Sequence, residues 1–150
     1  MKKSRLFAAL TAAMLFAAAP LQVAAAEVPT DEEASTYATG LIAEYTINAY
    51  YGYNTLMVDA STYASGEMAK IGLVNMVVQY SDDKITWMDE VYLDDMINQN
   101  AYYFSVYGYG IPVLSGHYYR IVITFYAKEK GWFFPGSQSI TVPSKSVWIG

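Results

Sequence analysis

The chain has 150 residues, with 14 acidic side chains against nine basic ones, one histidine and no cysteine. That composition excludes disulfide frameworks, thiol catalysis and cysteine-based zinc sites. Three of the nine basic residues stand in the first five positions, so the remainder sets six against all 14 acidic groups. No Lys/Arg patch is left to neutralise phosphates, which argues against nucleic acid or an anionic membrane as partner.

Met1 to Ala26 reads as a secretory signal peptide. Lys2, Lys3 and Arg5 form a cationic start, Leu6 to Ala19 is a 14-residue apolar run, and Ala24-Ala25-Ala26 places small residues before Glu27. A transmembrane span needs about 18 to 20 apolar residues. Cleavage between Ala26 and Glu27 is therefore expected, with membrane contact only during export. The short leader fits a bacterial export route. No Cys is available for lipid attachment, and Lys145 to Gly150 carries neither a sorting motif nor a hydrophobic tail. Free secretion is the expected localisation.

Glu27 to Thr36 is acidic, polar and contains Pro29, the composition of a flexible tail. Residues 37–150 then form one domain with a real core. From Tyr37 on, the pattern has period two nearly everywhere. Leu41, Ala43, Tyr45, Ile47 and Ala49 alternate with Ile42, Glu44, Thr46 and Asn48, and Gly52-Tyr53-Asn54 signals a turn. Leu56, Val58 and Ala60 define a second strand, which Ser65-Gly66-Glu67 is expected to break. Leu73 to Tyr80 is apolar on both faces, Val74, Met76 and Val78 opposing Leu73, Asn75, Val77 and Gln79, the mark of a central strand. A polar turn at Ser81 to Lys84 leads to Ile85, Trp87 and Val91 on the return strand. Leu93 to Asn100, with Asp94 and Asp95 near its start, is the one segment suited to a helical turn.

Tyr102 to Tyr109 reads as a strand and Gly110 to Gly116 as a loop. His117 to Ala127 is the best strand of the chain, with Tyr119, Ile121, Ile123 and Phe125 on one face. Lys128 to Gly136 is a loop, and Gln138 to Ile149 closes the chain around Pro143, which confines that strand to an edge. About seven short strands with turn signals every ~8 to 12 residues predict an all-β, two-sheet antiparallel sandwich.

Two segments carry a resemblance. Gln79-Tyr80-Ser81-Asp82-Asp83-Lys84-Ile85-Thr86-Trp87 resembles the Gln-x-Ser-x-Asp-Gly-x-Thr-Trp hairpin of fibronectin type III-like and immunoglobulin-like extracellular sandwiches, with Lys84 where Gly is usual. The resemblance implies that Trp87 returns into the core. If that site needs a left-handed backbone, a residue other than Gly costs ~1 to 2 kcal/mol, which allows a turn of a different type here. Gly116 to Ala127 looks like the penultimate strand of such sandwiches, which implies that Tyr119 is a corner tyrosine whose hydroxyl bonds upstream backbone. Met68-Ala69-Lys70-Ile71-Gly72 resembles small secreted bacterial proteins grouped as a family of unknown function. None of this imports an activity.

Chemistry has few footholds. A Ser-His-Asp relay would run through His117, the lone histidine, and the sequence has no Gly-x-Ser-x-Gly elbow. Glu44, Asp59, Asp89 and Glu90 are available as carboxylates, but neighbours such as Asp89 and Glu90 point to opposite faces of a strand. Asp82-Asp83 with Asp94-Asp95 could offer oxygen ligands to calcium, yet Asp is ordinary in turns. No cofactor and no metal are expected. The binding candidates are Trp132, Phe133 and Phe134, flanked by Gly131 and Gly136, and Tyr103 in the stripe Tyr102-Tyr103, Tyr107 and Tyr109. For the loop, recognition competes with capping of the core, and at least one of Trp132 and Phe134 is expected to fold back. For the tyrosine stripe, core packing is the expectation. The leading expectation is a secreted, non-enzymatic interaction module for an extracellular protein or glycan. A self-associating structural protein built on Tyr-rich edge strands is the alternative, and a small hydrolase the third.

Overall fold

Alternating side chains leave extended chain as the way to bury an apolar face. The computed structural model, which describes residues 34–37 and 40–150, is all-β, with no helix among the described residues. Its strands are β1 (Ala34–Tyr37), β2 (Ile42–Gly52), β3 (Thr55–Ser81), β4 (Met88–Leu93), β5 (Met96–Ile111), β6 (His117–Lys128), β7 (Ser137–Pro143) and β8 (Val147–Ile149). The signal segment and its cleavage point lie outside the described residues. Ala34 to Thr36, placed in the tail by composition, pair with β2.

β3, 27 residues long, is the spine. After the turn that follows it, the chain runs back along β3 as β4 and then β5: Tyr80 pairs with Met88, Met76 with Leu93, Leu73 with Met96 and Leu56 with Ile111. The other edge of β3 takes β2 from Thr55 to Ala64 and β6 from Lys70 to Ser81. β6 carries β7 and β8 on its far side. Every pairing is antiparallel, and the strands form one sheet curled into a half-barrel.

Ser65-Gly66-Glu67 does not break the strand. These exposed residues mark the bend of β3 where β2 gives way to β6. The curl turns β2 toward β6, and the Tyr45 and Phe125 rings meet at 4.9 Å between centroids. Leu56, Val58, Ile71, Leu73 and Val78 of β3 join Tyr119, Ile121, Ile123 and Phe125 of β6 in the core. The face read for β6 is the buried one throughout.

Tyr45, Ile47 and Ala49 of β2 share a buried face, as do Met76 and Val78 of β3, but the alternation breaks before each of these runs at a bulge. Ile42 is fully buried rather than facing out with Glu44, because Ala43 is an extra residue between the pairs Ile42–Ala64 and Glu44–Tyr63. Leu73 is inside with Met76 and Val78, while Val74 is only half-buried. Asn75, with φ 49°, inserts the slip opposite β6. The helical turn expected from Leu93 to Asn100 is absent: the chain stays extended as the end of β4 and the start of β5. Asp95 Oδ1 instead accepts the Asn75 N–H at 3.0 Å, so the aspartate serves the bulge rather than a helix N-terminus.

The Gly52 to Thr55 hairpin turns through Tyr53 (φ 51°) and Asn54 (φ 56°), the paired positive angles of a type I′ turn. Lys84 is left-handed, at φ 62°. Around it, Ser81 Oγ accepts the Lys84 N–H at 2.9 Å, and Asp83 Oδ1 accepts the N–H groups of Ile85 and Thr86, each at 2.8 Å. Those bonds hold the Asp83 carboxyl below its ordinary pKa. Trp87 does not enter the core. The turn delivers it half-buried to the face where Gln79 and Arg120 pair, and the Arg120 guanidinium lies 4.2 Å from its ring centroid. Pro143 ends the edge strand β7, so the closing segment splits in two, and Ser144 turns back to bond Ile121 through both N–H and Oγ.

Candidate functional site

The connection between β6 and β7 is closed at its base. The Glu129 N–H donates to the Gly136 carbonyl and the Gly136 N–H to Glu129 Oε2, both at 2.9 Å. A Cβ on Gly136 would stand 2.8 Å from that carboxylate oxygen, so a larger residue there would push the Glu129 side chain out of its present position. Lys130 Nζ reaches Glu67 Oε1 at 2.7 Å and ties the loop to the bend of β3.

Beyond this clamp the tip holds Trp132 98%, Phe133 88% and Phe134 99% exposed. None of the three folds back onto the core, contrary to expectation, because the clamped base holds the tip clear of the sheet. Phe134 sits at φ 49°, a left-handed backbone that costs an L-residue about 1 to 2 kcal/mol. Strained, exposed aromatics of this kind concentrate at ligand-contacting loops.

The tyrosine stripe also lies outside the core. Tyr103 is 42% exposed and stacks on Tyr63 at 5.9 Å, with Tyr102 against it at 5.2 Å. Tyr107 and Tyr109 are exposed as well. The reason is position: among the described residues β5 is paired along one side only, and its Phe104 and Val106 pack against the core. Tyr63 stands four residues before Glu67, which holds Lys130, so β3 carries both the Tyr63–Tyr103 stack and the anchor of the Trp132 loop.

A second feature was not foreseen. Tyr80, Glu90, Leu114, His117 and Tyr119 line a cavity of about 300 Å³. His117 Nδ1 meets Asp82 Oδ1 at 2.6 Å, and its ring stands edge-on to Tyr80 and Tyr119. The expected corner bond of Tyr119 is not made. Its hydroxyl is buried beside the Glu90 carboxylate and the Leu114 backbone without a hydrogen bond of good geometry, and Glu90 Oε2 is likewise buried and unbonded. Burial first, then the Glu90 charge, pushes the Tyr119 phenol up to about 12. A carboxylate among aromatic rings suits an organic ammonium group. No sequence signal marks this cavity, since the register of β3, β4 and β6, with Leu114 from the loop between β5 and β6, brings its residues together.

Asp82, Asp83 and Asp95 are thus engaged with His117, the turn and the Asn75 bulge. The chain matches no known protein family, and neither a curated protein nor a solved structure is significantly similar to it.

Proposed function

We propose that the chain is a secreted, non-enzymatic interaction module that engages an extracellular protein or glycan through Trp132, Phe133 and Phe134, with Tyr103 at the flank. The near-complete exposure of three consecutive aromatics on a clamped loop carries this reading. Large apolar rings left in water cost free energy that a partner surface recovers, and Trp and Tyr dominate interface hot spots. Secretion is supported by the cationic start, apolar run and small-residue exit of Met1 to Ala26. The contact between Tyr45 and Phe125 supports reading the half-barrel as a folded-over, two-layer sandwich of the fibronectin type III or immunoglobulin kind.

Trp132→Ala and Phe133→Ala test the module. Both should melt within about 0.5 kcal/mol of the parent, as exposed positions do. Each should lose about 2 kcal/mol of affinity for surface proteins or glycans captured by the parent. Docking should also shift the fluorescence of Trp132. Variants that lose stability and keep binding would make the loop a packing element instead.

A further inference from the structure

β5 is a free edge. It pairs with β3 along one side, and among the described residues no strand lies on the other. Such an edge turns N–H and C=O groups to solvent and templates a further strand, which is why edges are commonly guarded by charge, proline or bulges. β5 has no charged residue and no proline in 16 positions. Its interruptions are Asn100 (φ 51°) and, at the far end, Gly108 (φ 61°) with a bulge that leaves one extra residue of β5 between Val106 and Tyr109. Between them runs Ala101-Tyr102-Tyr103-Phe104-Ser105-Val106-Tyr107, seven residues without charge, glycine or proline, five of them aromatic or β-branched. That is the length and composition of segments that pair with themselves. The Tyr103 carbonyl is engaged by Asn98 Nδ2 at 3.1 Å, a side-chain bond that an incoming main chain exchanges for its own.

We infer that Ala101–Tyr107 pairs with the same run of a second copy of this chain, antiparallel about a two-fold axis near Phe104, joining two half-barrels into one sheet. Charge selects both occupant and direction. The chain is acidic, so two copies repel in general, and the uncharged run lets them meet without bringing carboxylates together; β7, another uncharged edge, is shorter and ends at Pro143. Parallel, in-register pairing would bring Asp94-Asp95 of one copy alongside those of the other. The antiparallel arrangement directs that end toward Val113 and the exposed Leu114 of the partner. It also sets Tyr102 opposite Val106 and Tyr103 opposite Ser105 across the seam, pairs that favour strand association. A closed two-fold contact stops at a dimer.

Sedimentation of the full chain after export tests this. The parent should pass from monomer to dimer with concentration, while Ser105→Lys and Tyr107→Lys stay monomeric with unchanged melting. Trp132→Ala, which touches only the loop reading, should dimerise like the parent. The chain has no native cysteine, so Ala101→Cys mixed with Tyr107→Cys should form the mixed disulfide dimer under oxidation. A monomer at all concentrations, growth beyond the dimer, or preferential 101–101 and 107–107 cross-links would overturn the proposal. So would dimerisation that survives both lysine variants.

Discussion

At Tyr119 the balance of burial against hydrogen bonding decides what a substitution does. A satisfied corner hydroxyl would lose ~0.5 to 1.5 kcal/mol on conversion to phenylalanine. Here the hydroxyl is fully buried without a good partner, so Tyr119→Phe should be neutral or stabilising in urea unfolding. The same group makes stability fall in base. Its folded pKa of about 12 lies above the ordinary 10.0, so the unfolded chain gives up this proton first. The contribution is full below about pH 10 and is lost as pH climbs to about 12. Across that window the parent should lose more melting temperature than Tyr119→Phe. Equal losses would show that the phenol is hydrated.

At the scale of elements, β3 and β5 meet at Gly72. A Cβ there would stand 2.0 Å from the Met96 carbonyl oxygen and 2.8 Å from Ile97 Cα, both backbone atoms that cannot swing aside. Gly72→Ala should therefore cost at least about 3 kcal/mol or prevent folding. Gly66→Ala, with nothing within 4 Å of the added carbon, should stay within about 0.5 kcal/mol by the same unfolding measurement. Regular strands such as β6 were legible because their alternation runs unbroken from Tyr119 to Ala127. In β2 the shared face of Tyr45, Ile47 and Ala49 was legible, as was that of Met76 and Val78 in β3. Ile42 and Leu73, which precede the extra residues Ala43 and Asn75, were set on the wrong face because a one-residue slip reverses the alternation across it. Trp132, Phe133 and Phe134 were legible as a candidate site because glycines bracket them. Their exposure was not, since it depends on the Glu129–Gly136 clamp. Glu90, His117 and Tyr119 share a cavity only through strand register, which leaves no mark in local sequence.

At the scale of the molecule, the sharing of β3 makes the half-barrel one cooperative unit. Its first half lies between β2 and β5, its second between β6 and the β4–β5 return, so neither side keeps a complete sheet without it. Opening either half also strips water-excluding cover from the other, since Tyr45 of β2 packs on Phe125 of β6. Hydrogen exchange in increasing urea should thus show peptides from β2 and β6 losing protection in the same step. Phe125→Ala removes an aromatic from the shared core and should cost about 3 to 5 kcal/mol, moving both transitions down together. If the two halves were separate folding units, β6 would shift and β2 would stay. Because the pairing of Leu56 with Ile111 spans most of the long hairpin, loop closure must precede much of the stabilising contact. Refolding should therefore run on the millisecond-to-second scale of β proteins rich in non-local pairs. Phe125→Ala separates the order of events within it: slower folding would place the β2–β6 contact in the transition state, whereas faster unfolding alone would make closure of the half-barrel the last step.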